Sequence, residues 1–273
     1  MAVATVFCVF AGADGALAQG KLDAQYTAYL AGLPVGKGSW AIDIEDNQYS
    51  ASANGQTTGL IRVFTGGKGT SAARGAVSGG QLLASTYTAS IQTKNRTDEV
   101  QLTIASGVAK DVHLTPPQDD DPERVPVTEA QRHGITDPMT GSLVRVAGTG
   151  EVLAPESCDR SASLFDGRLR YDLRLAYKHM DTVRADKGYA GPALVCAVYF
   201  TPVAGHIPSR AAMKYLAASR DMEVWLVPIA GTRVLVPFRF QVPTPIGLAK
   251  LEAHQFITTA QPARAVAKGN KTQ

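Results

Sequence analysis

Apolar and polar residues alternate with period two along most of this chain. Leu22, Ala24, Tyr26, Ala28 and Leu30 fall on one face of an extended segment. Trp40, Ile42 and Ile44 fall on one face of the next, with Asp43 and Glu45 opposite. Successive side chains of a strand point to opposite faces, so each run reads as a strand with one face on a core. Leu33-Pro34-Val35-Gly36 is expected to connect the two as a hairpin, and Asp46-Asn47 to turn the chain again. Val100, Leu102 and Ile104 alternate against Gln101 and Thr103. The clearest alternation sets Leu169, Tyr171, Leu173, Leu175 and Tyr177 against Arg168, Arg170, Asp172, Arg174 and Lys178, a half-buried antiparallel strand. Asp166-Gly167 predicts the tight turn that joins it to a strand over 158–165.

The C-terminal third repeats the theme. Glu223, Trp225, Val227 and Ile229 alternate with Met222, Val224 and Leu226. Val234, Val236, Phe238, Phe240 and Val242 share a face opposite Arg233, Arg239 and Gln241. Pro228 and Pro237 remove ladder donors inside these runs and predict edges or bulges. Helix signals are few. Thr136-Asp137-Pro138 supplies an N-cap and a first-turn proline for a short helix over 139–147, and Pro208-Ser209 starts another over 210–219. The stretch 116–127 (PPQDDDPERVPV) is a long irregular loop or hinge, and its Asp119-Asp120-Asp121 matches no EF-hand spacing. About fourteen strand candidates at this spacing predict an all-β, mainly antiparallel fold. The expected shape is a strongly curved sheet or half-open barrel with one or two short helices, in a single β-rich domain over 19–260.

The two ends read differently. An uncharged apolar run from Ala2 to Ala11 is followed by Ala16-Leu17-Ala18 and then Gln19, the pattern read by signal peptidase. Residues 1–18 are therefore expected to be a signal peptide cleaved between Ala18 and Gln19. Met1-Ala2-Val3-Ala4 lacks the usual Lys or Arg, which suggests a true start upstream. The run is about half the length a bilayer requires, and no other stretch is long and apolar enough to span. The tail, 261–273, carries Arg264, Lys268 and Lys271 among small and polar residues and reads as flexible.

Charge and cysteines narrow the chemistry. Losing Asp14 with the leader moves the net charge from +3 to +4, with no basic stripe to suggest nucleic acid. Of three cysteines, Cys8 leaves with the leader and Cys158 and Cys196 remain. A zinc site lacks further ligands at metal spacing, and a nucleophilic cysteine lacks a neighbouring His in sequence. A structural disulfide is the favoured reading in an oxidising compartment. It would close a loop of about 39 residues, for roughly 4 kcal/mol in the chain-entropy model. In a three-stranded meander the first and third strands lie roughly 9.5 Å apart, too far for a disulfide. The bond therefore requires Cys158 to precede the paired part of its strand, or the sheet to bend sharply.

No catalytic, cofactor-binding or metal-ligating residue is assigned, and no cofactor is expected. His113, His133, His179, His206 and His254 show no metal spacing, and Ser157, Ser163 and Ser209 have no nucleophile elbow around them. The Gly-rich stretches at Thr65 to Gly69 and Ser78-Gly79-Gly80 read as hairpin turns and not as phosphate cradles.

Several motifs together resemble a family of exported bacterial proteins known only as domain of unknown function 3108. They are Tyr29-Leu30-Ala31-Gly32-Leu33-Pro34-Val35-Gly36, the Gly-rich hairpins up to Tyr87, Asp137-Pro138-Met139-Thr140, the stretch from Cys158 through Phe165-Asp166-Gly167-Arg168, and Cys196. The likeness runs from about Leu22 to Thr258. It implies a periplasmic, β-rich protein and brings no catalytic residues. By looser analogy such folds are similar to the half-open barrels of periplasmic lipoprotein carriers and envelope-integrity proteins. Three readings follow. The first is a non-catalytic binding or envelope-maintenance protein, with an apolar groove for a lipid, lipoprotein or envelope partner. The second is a hydrolase of cell-envelope polymers, with convergent acids in a cleft. The third is a structural scaffold. The want of titratable clusters in the sequence favours the first and third, and the oligomeric state is left open.

Overall fold

The computed structural model describes residues 19–58 and 67–261. The expected signal peptide and its cleavage at Ala18, Thr65-Gly66, and the tail beyond 261 lie outside the described residues.

Seven strands open the chain as an antiparallel meander: β1 (Gln19–Leu30), β2 (Leu33–Ile44), β3 (Gln48–Thr57), β4 (Lys68–Ser78), β5 (Gln81–Gln92), β6 (Thr97–Ala105) and β7 (Val108–Thr115). An irregular stretch then leads to a single helical turn, α1 (Pro138–Gly141), and a two-residue strand, β8 (Val144–Arg145). The second meander holds β9 (Arg160–Phe165), β10 (Arg170–Arg184), the short β11 (Lys187–Gly188) and β12 (Ala190–Ala204). Helix α2 (Ala211–Ala218) precedes β13 (Met222–Pro228), β14 (Val234–Thr244) and β15 (Gly247–Gln261). All belong to one sheet, in the order β7-β6-β5-β4-β3-β2-β1-β15-β14-β13-β12-β10-β9, with β11 beside β15 and β8 beside β14. The sheet is antiparallel apart from the β11 contact. The fold is thus all-β, with two short helices among the described residues.

The sheet is strongly curved, and its edge strands β7 and β9 are stitched together without pairing directly. The segment 133–136 lies between them. His133 bridges Val108 on one side, and Thr136 bridges Leu164 on the other. The Ile135 N–H donates to Gly107 O, and the Thr136 N–H to Ser163 O. Farther along, the turn at Gly167 rests on β6 and β7. A Cβ there would lie 2.6 Å from Val100, and the Arg168 guanidinium donates to Pro116 O. This covers two edges that would otherwise offer free ladder groups to other chains. The acidic stretch 116–127 is a strap. Val125 exchanges backbone hydrogen bonds with the turn at Gly205-His206, and Arg124 donates to Gly205 O.

Two apolar clusters fill the structure. The larger takes the inward residues of the first meander, such as Leu22, Trp40, Ile42, Tyr49, Tyr87 and Leu102, and meets Val195, Trp225, Val227, Val236, Phe238 and Phe256. The smaller gathers Cys158, Leu194, Cys196, Val198, Met222, Val224 and Leu226. Alternate residues of β12 and β13 therefore go to different cores, and these strands are covered on both faces. On β14 the register slips around Phe238, between Arg239 opposite Trp225 and Pro237 opposite Leu226. The slip corrects the single apolar face expected for this strand. Val234, Val236 and Phe238 serve the larger core, whereas Phe240 and Val242 serve the smaller. The cause is the proline, which cannot donate to a regular ladder. The Pro237 carbonyl accepts from the Tyr26 hydroxyl at 2.7 Å.

Three local expectations need adjustment. Leu33 to Gly36 belongs to β2, because Ala31 and Gly32, both at positive φ, make the turn. The Asp166 N–H bonds Leu169 O, so Gly167-Arg168 occupies the tip of its hairpin. The helix after Asp137 stops at Gly141, which packs too closely on Leu164 to admit a side chain, and the chain then leaves to form β8.

Cys158 and Cys196 form a disulfide with Cα atoms 5.7 Å apart. Cys158 ends a 3-10 turn over Pro155–Cys158, ahead of the paired part of β9, while Cys196 sits on β12 opposite Tyr177 of β10. That placement spans the meander, and the register of β10 slips between Tyr177 and His179, beside Cys196. Both cysteines are fully buried in the smaller core.

Where β15 leaves β14 after Glu252, β11 takes its edge and three rings fill the gap. Tyr189, Phe238 and Phe256 have centroids 5.4 to 6.4 Å apart. Replacing Phe256 with Ala should cost about 3–5 kcal/mol, read by chemical denaturation. Replacing both cysteines with Ala should cost roughly 2–4 kcal/mol and leave the far-UV circular dichroism of a β protein unchanged.

Candidate functional site

The inside of the curved sheet is filled by side chains. Its polar content is a buried chain anchored on α1. Asp137 is fully buried and caps this turn, accepting from the Thr140 N–H at 2.9 Å and from the Thr140 hydroxyl. The Tyr49 hydroxyl lies 2.7 Å from the same Thr140 oxygen. Met139 packs beside it, its sulfur 3.3 Å from the Ser71 hydroxyl. Asp166 performs a similar task in its turn, accepting from the Arg168 and Leu169 N–H groups. Burial pushes both carboxyls up from their usual range, and the hydrogen bonds they accept oppose that shift. Tyr87 and Tyr171 feel the charge of both. These acids thus converge electrostatically, a pairing the sequence did not suggest. Each is occupied by the backbone it caps, and Asp137 has no solvent access. They hold the plug and do not face a cleft.

A second polar cluster joins β10, β13, β14 and β15. The Trp225 indole N–H donates to Asp181 at 2.7 Å, and Arg239 and Lys250 both donate to Glu252 at 2.6 Å. The Arg239 guanidinium lies 4.9 Å over the Trp225 ring. The Trp225 hydrogen bond holds Asp181 below the usual carboxylate range. Burial raises Glu252, and the bonds and charges of Lys250 and Arg239 outweigh it to leave a net lowering. Every member has a partner, so the cluster reads as a clamp between strands.

A cavity that combines arginines with an apolar wall lies between the two meanders. It holds about 210 Å³ and is bounded by the β4–β5 turn, the segment 136–145 and the β9–β10 pair. Leu82, Leu143, Leu173 and Leu175 line it, together with Gln81, Arg145 and Arg160. The geometry of its rim follows from glycine. Gly79 and Gly80, both at positive φ, make a two-residue turn, and a Cβ on Gly80 would stand 2.7 Å from the Arg145 guanidinium. The Arg145 guanidinium lies over this turn, in the space a side chain at Gly80 would take. A larger depression of about 540 Å³ crosses the outer face of β2–β6, lined mostly by Ser, Thr and Ala. Among the described residues no three His, Cys, Asp or Glu side chains gather as a metal site. Ser157 and Ser163 donate to Val152 O and Asp172, respectively.

Asp137→Ala should destabilise the fold by about 1–3 kcal/mol, because it strips the cap and leaves the buried Thr140 groups unpaired. Asp137→Asn keeps an acceptor for the Thr140 N–H. A buried acid with a raised folded pKa favours the folded state when protonated, and that advantage is lost as pH rises above the unfolded value of 3.8. The melting temperature of Asp137→Asn relative to the parent should therefore climb between pH 4 and pH 7. A flat difference in scanning calorimetry would count against the raised carboxyl.

Similarity to known proteins adds a family. No curated protein matches this chain. A solved β-barrel-like protein of domain of unknown function DUF1849 from Brucella abortus is similar, at 7% identity and a TM-score of 0.47, with 89% of this chain and 98% of that one covered. The model of a family described as protein of unknown function, DUF3108, matches residues 25–254, and the chain belongs to that family.

Proposed function

We propose that this protein is an exported, non-catalytic binding protein of the bacterial cell envelope, holding a lipid, lipoprotein or envelope partner. The observation that carries the reading is the cleft between the meanders, where arginines and leucines line one cavity. Binding sites are concave, mostly apolar and furnished with a few placed polar groups. The inside of the sheet is occupied by α1 and the aromatic core, and the seam between the halves offers a ligand arginines beside an apolar wall. A fully buried cystine suits an oxidising compartment. The tips of two neighbouring hairpins add an apolar surface. Leu33 is 69% and Ile246 71% exposed, and the Ala31 N–H bonds Leu248 O between the two turns. Apolar side chains exposed at adjacent tips suit contact with a membrane or a protein.

Purification from the periplasmic fraction, followed by N-terminal sequencing and mass spectrometry of an organic extract, tests this reading. The expected result is a chain that starts at Gln19 and carries an envelope amphiphile in stoichiometric amount. A chain with Met1 intact in the cytoplasmic fraction and no bound molecule would overturn it.

A further inference from the structure

Three guanidinium groups meet at the rim of the cleft, with no acid among them. Arg145 Nη1 and Arg233 Nε both donate to the Val146 carbonyl oxygen, and Arg160 Nη2 donates to the Arg145 carbonyl. Three cations thus converge on two consecutive backbone carbonyls. None of them forms an ion pair among the described residues. Elsewhere three half-buried arginines meet an acid, Arg168 with Asp98, Arg170 with Asp172 and Arg239 with Glu252, whereas Arg124 and Arg132 stand singly and form no ion pair among the described residues. Burial pushes Arg145 down from its ordinary value, and the charges of Arg233 and Arg160 push the same way. Carbonyl dipoles satisfy some donors but leave the net charge in place.

The three arginines play different parts. Arg233 uses each of its three nitrogens, donating to Val146, Gly150 and Ala147 carbonyls at 3.2, 2.8 and 3.2 Å, and it positions the segment that carries Arg145. Arg145 and Arg160 each use one terminal nitrogen on a carbonyl and also line the cavity. Thr136 lines it too, with its Oγ1 buried and without a hydrogen-bond partner. Leu82, Leu173 and Leu175 contribute an apolar wall.

The geometry points to an oxyanion site in which Arg145 and Arg160 receive a phosphate or carboxylate group and the leucines take up apolar matter attached to it. A guanidinium offers a planar fork of donors to such groups, and two of them repel less once an anion lies between them. Resting on the binding reading above, this names the chemistry of the ligand.

Calorimetric titration of the mature protein with octyl phosphate, laurate and inorganic phosphate tests it. At least one should bind saturably, and more weakly as salt rises. Arg160→Gln should weaken that binding roughly tenfold or more, the loss of a charge-assisted hydrogen bond. Because Arg160 also holds a backbone carbonyl, Gln81→Glu is the companion variant. It brings a carboxylate to the rim and removes no arginine. It should raise the melting temperature of the empty protein and weaken anion binding by a similar factor. Octyl phosphate binding at least tenfold more tightly than inorganic phosphate would identify an amphiphile as the source, and equal affinity a free anion.

No saturable binding of any of the three, or affinities unchanged in both variants, would overturn the site. An envelope amphiphile that still copurifies with Gln81→Glu at full stoichiometry would overturn the arginine site while sparing the binding reading. Saturable anion binding by a protein that carries no envelope molecule would do the reverse.

Discussion

Strand β15 is the constraint on which the sheet depends. It pairs with β1 from Gln19 opposite Gln261 to Leu30 opposite Ala249, and with β14 from Arg239 opposite Glu252 to Thr244 opposite Gly247. Every ladder between the first and second meanders therefore runs through the last described strand. Such a pairing joins residues more than two hundred positions apart, and the loop entropy must be met before the contact gives anything back. The local hairpins of each half can form early, but the two halves can align only when β15 is in place. The ring triad of Tyr189, Phe238 and Phe256 sits where β15 parts from β14, so that the divergence of the two strands is filled and not hollow.

The second meander carries a burden that the first does not. Its central strands are apolar on both faces, and the smaller core needs its own cover. Strand β8 supplies part of it by pairing with the start of β14, Leu216 of α2 packs on it, and the 3-10 turn that ends at Cys158 supplies the rest. Two of these are a two-residue strand and a single turn, elements too short to hold themselves in place. The bond from Cys158 to Cys196 ties the cover to the middle of the sheet it protects.

Much of the fold was legible in the sequence because period-two alternation records burial directly. The strands β1, β2, β6, β10, β13 and β14 appear in the pattern, as do the proline bulge and the cap at Asp137. What was lost is what one residue can shift. The slip at Phe238 moved Phe240 and Val242 to the other core, and the departure of the chain into β8 ends the predicted helix after one turn. Neither leaves a periodic trace. The cleft was less legible still. Arg145 lay in a predicted helix, Arg160 on a strand with no marked face, and Arg233 on the polar side of β14. Gly79-Gly80 read correctly as a turn, but nothing in the chain said that an arginine from sixty-five residues away would lie over it.

The position of the cleft follows from how the sheet closes. A curved sheet with a filled interior has little room inside, because each inward residue already meets others from across the core. Its edge strands cannot pair, since the segment 133–136 stands between them, and that segment continues directly into the capped turn of α1 and on to β8. The turn α1 that fills the interior and the arginine that overhangs the β4–β5 turn are thus consecutive parts of one strap, nine residues from Asp137 to Arg145. Asp137 fixes where the strap enters the core, and Arg233 fixes where it leaves. The buried acid, which has no access to solvent, therefore acts on the cleft by placement: if the cap slips, Arg145 moves with it. The chemistry available to the protein sits at the seam because the seam is where its two meanders are joined by side chains and loops instead of by a ladder.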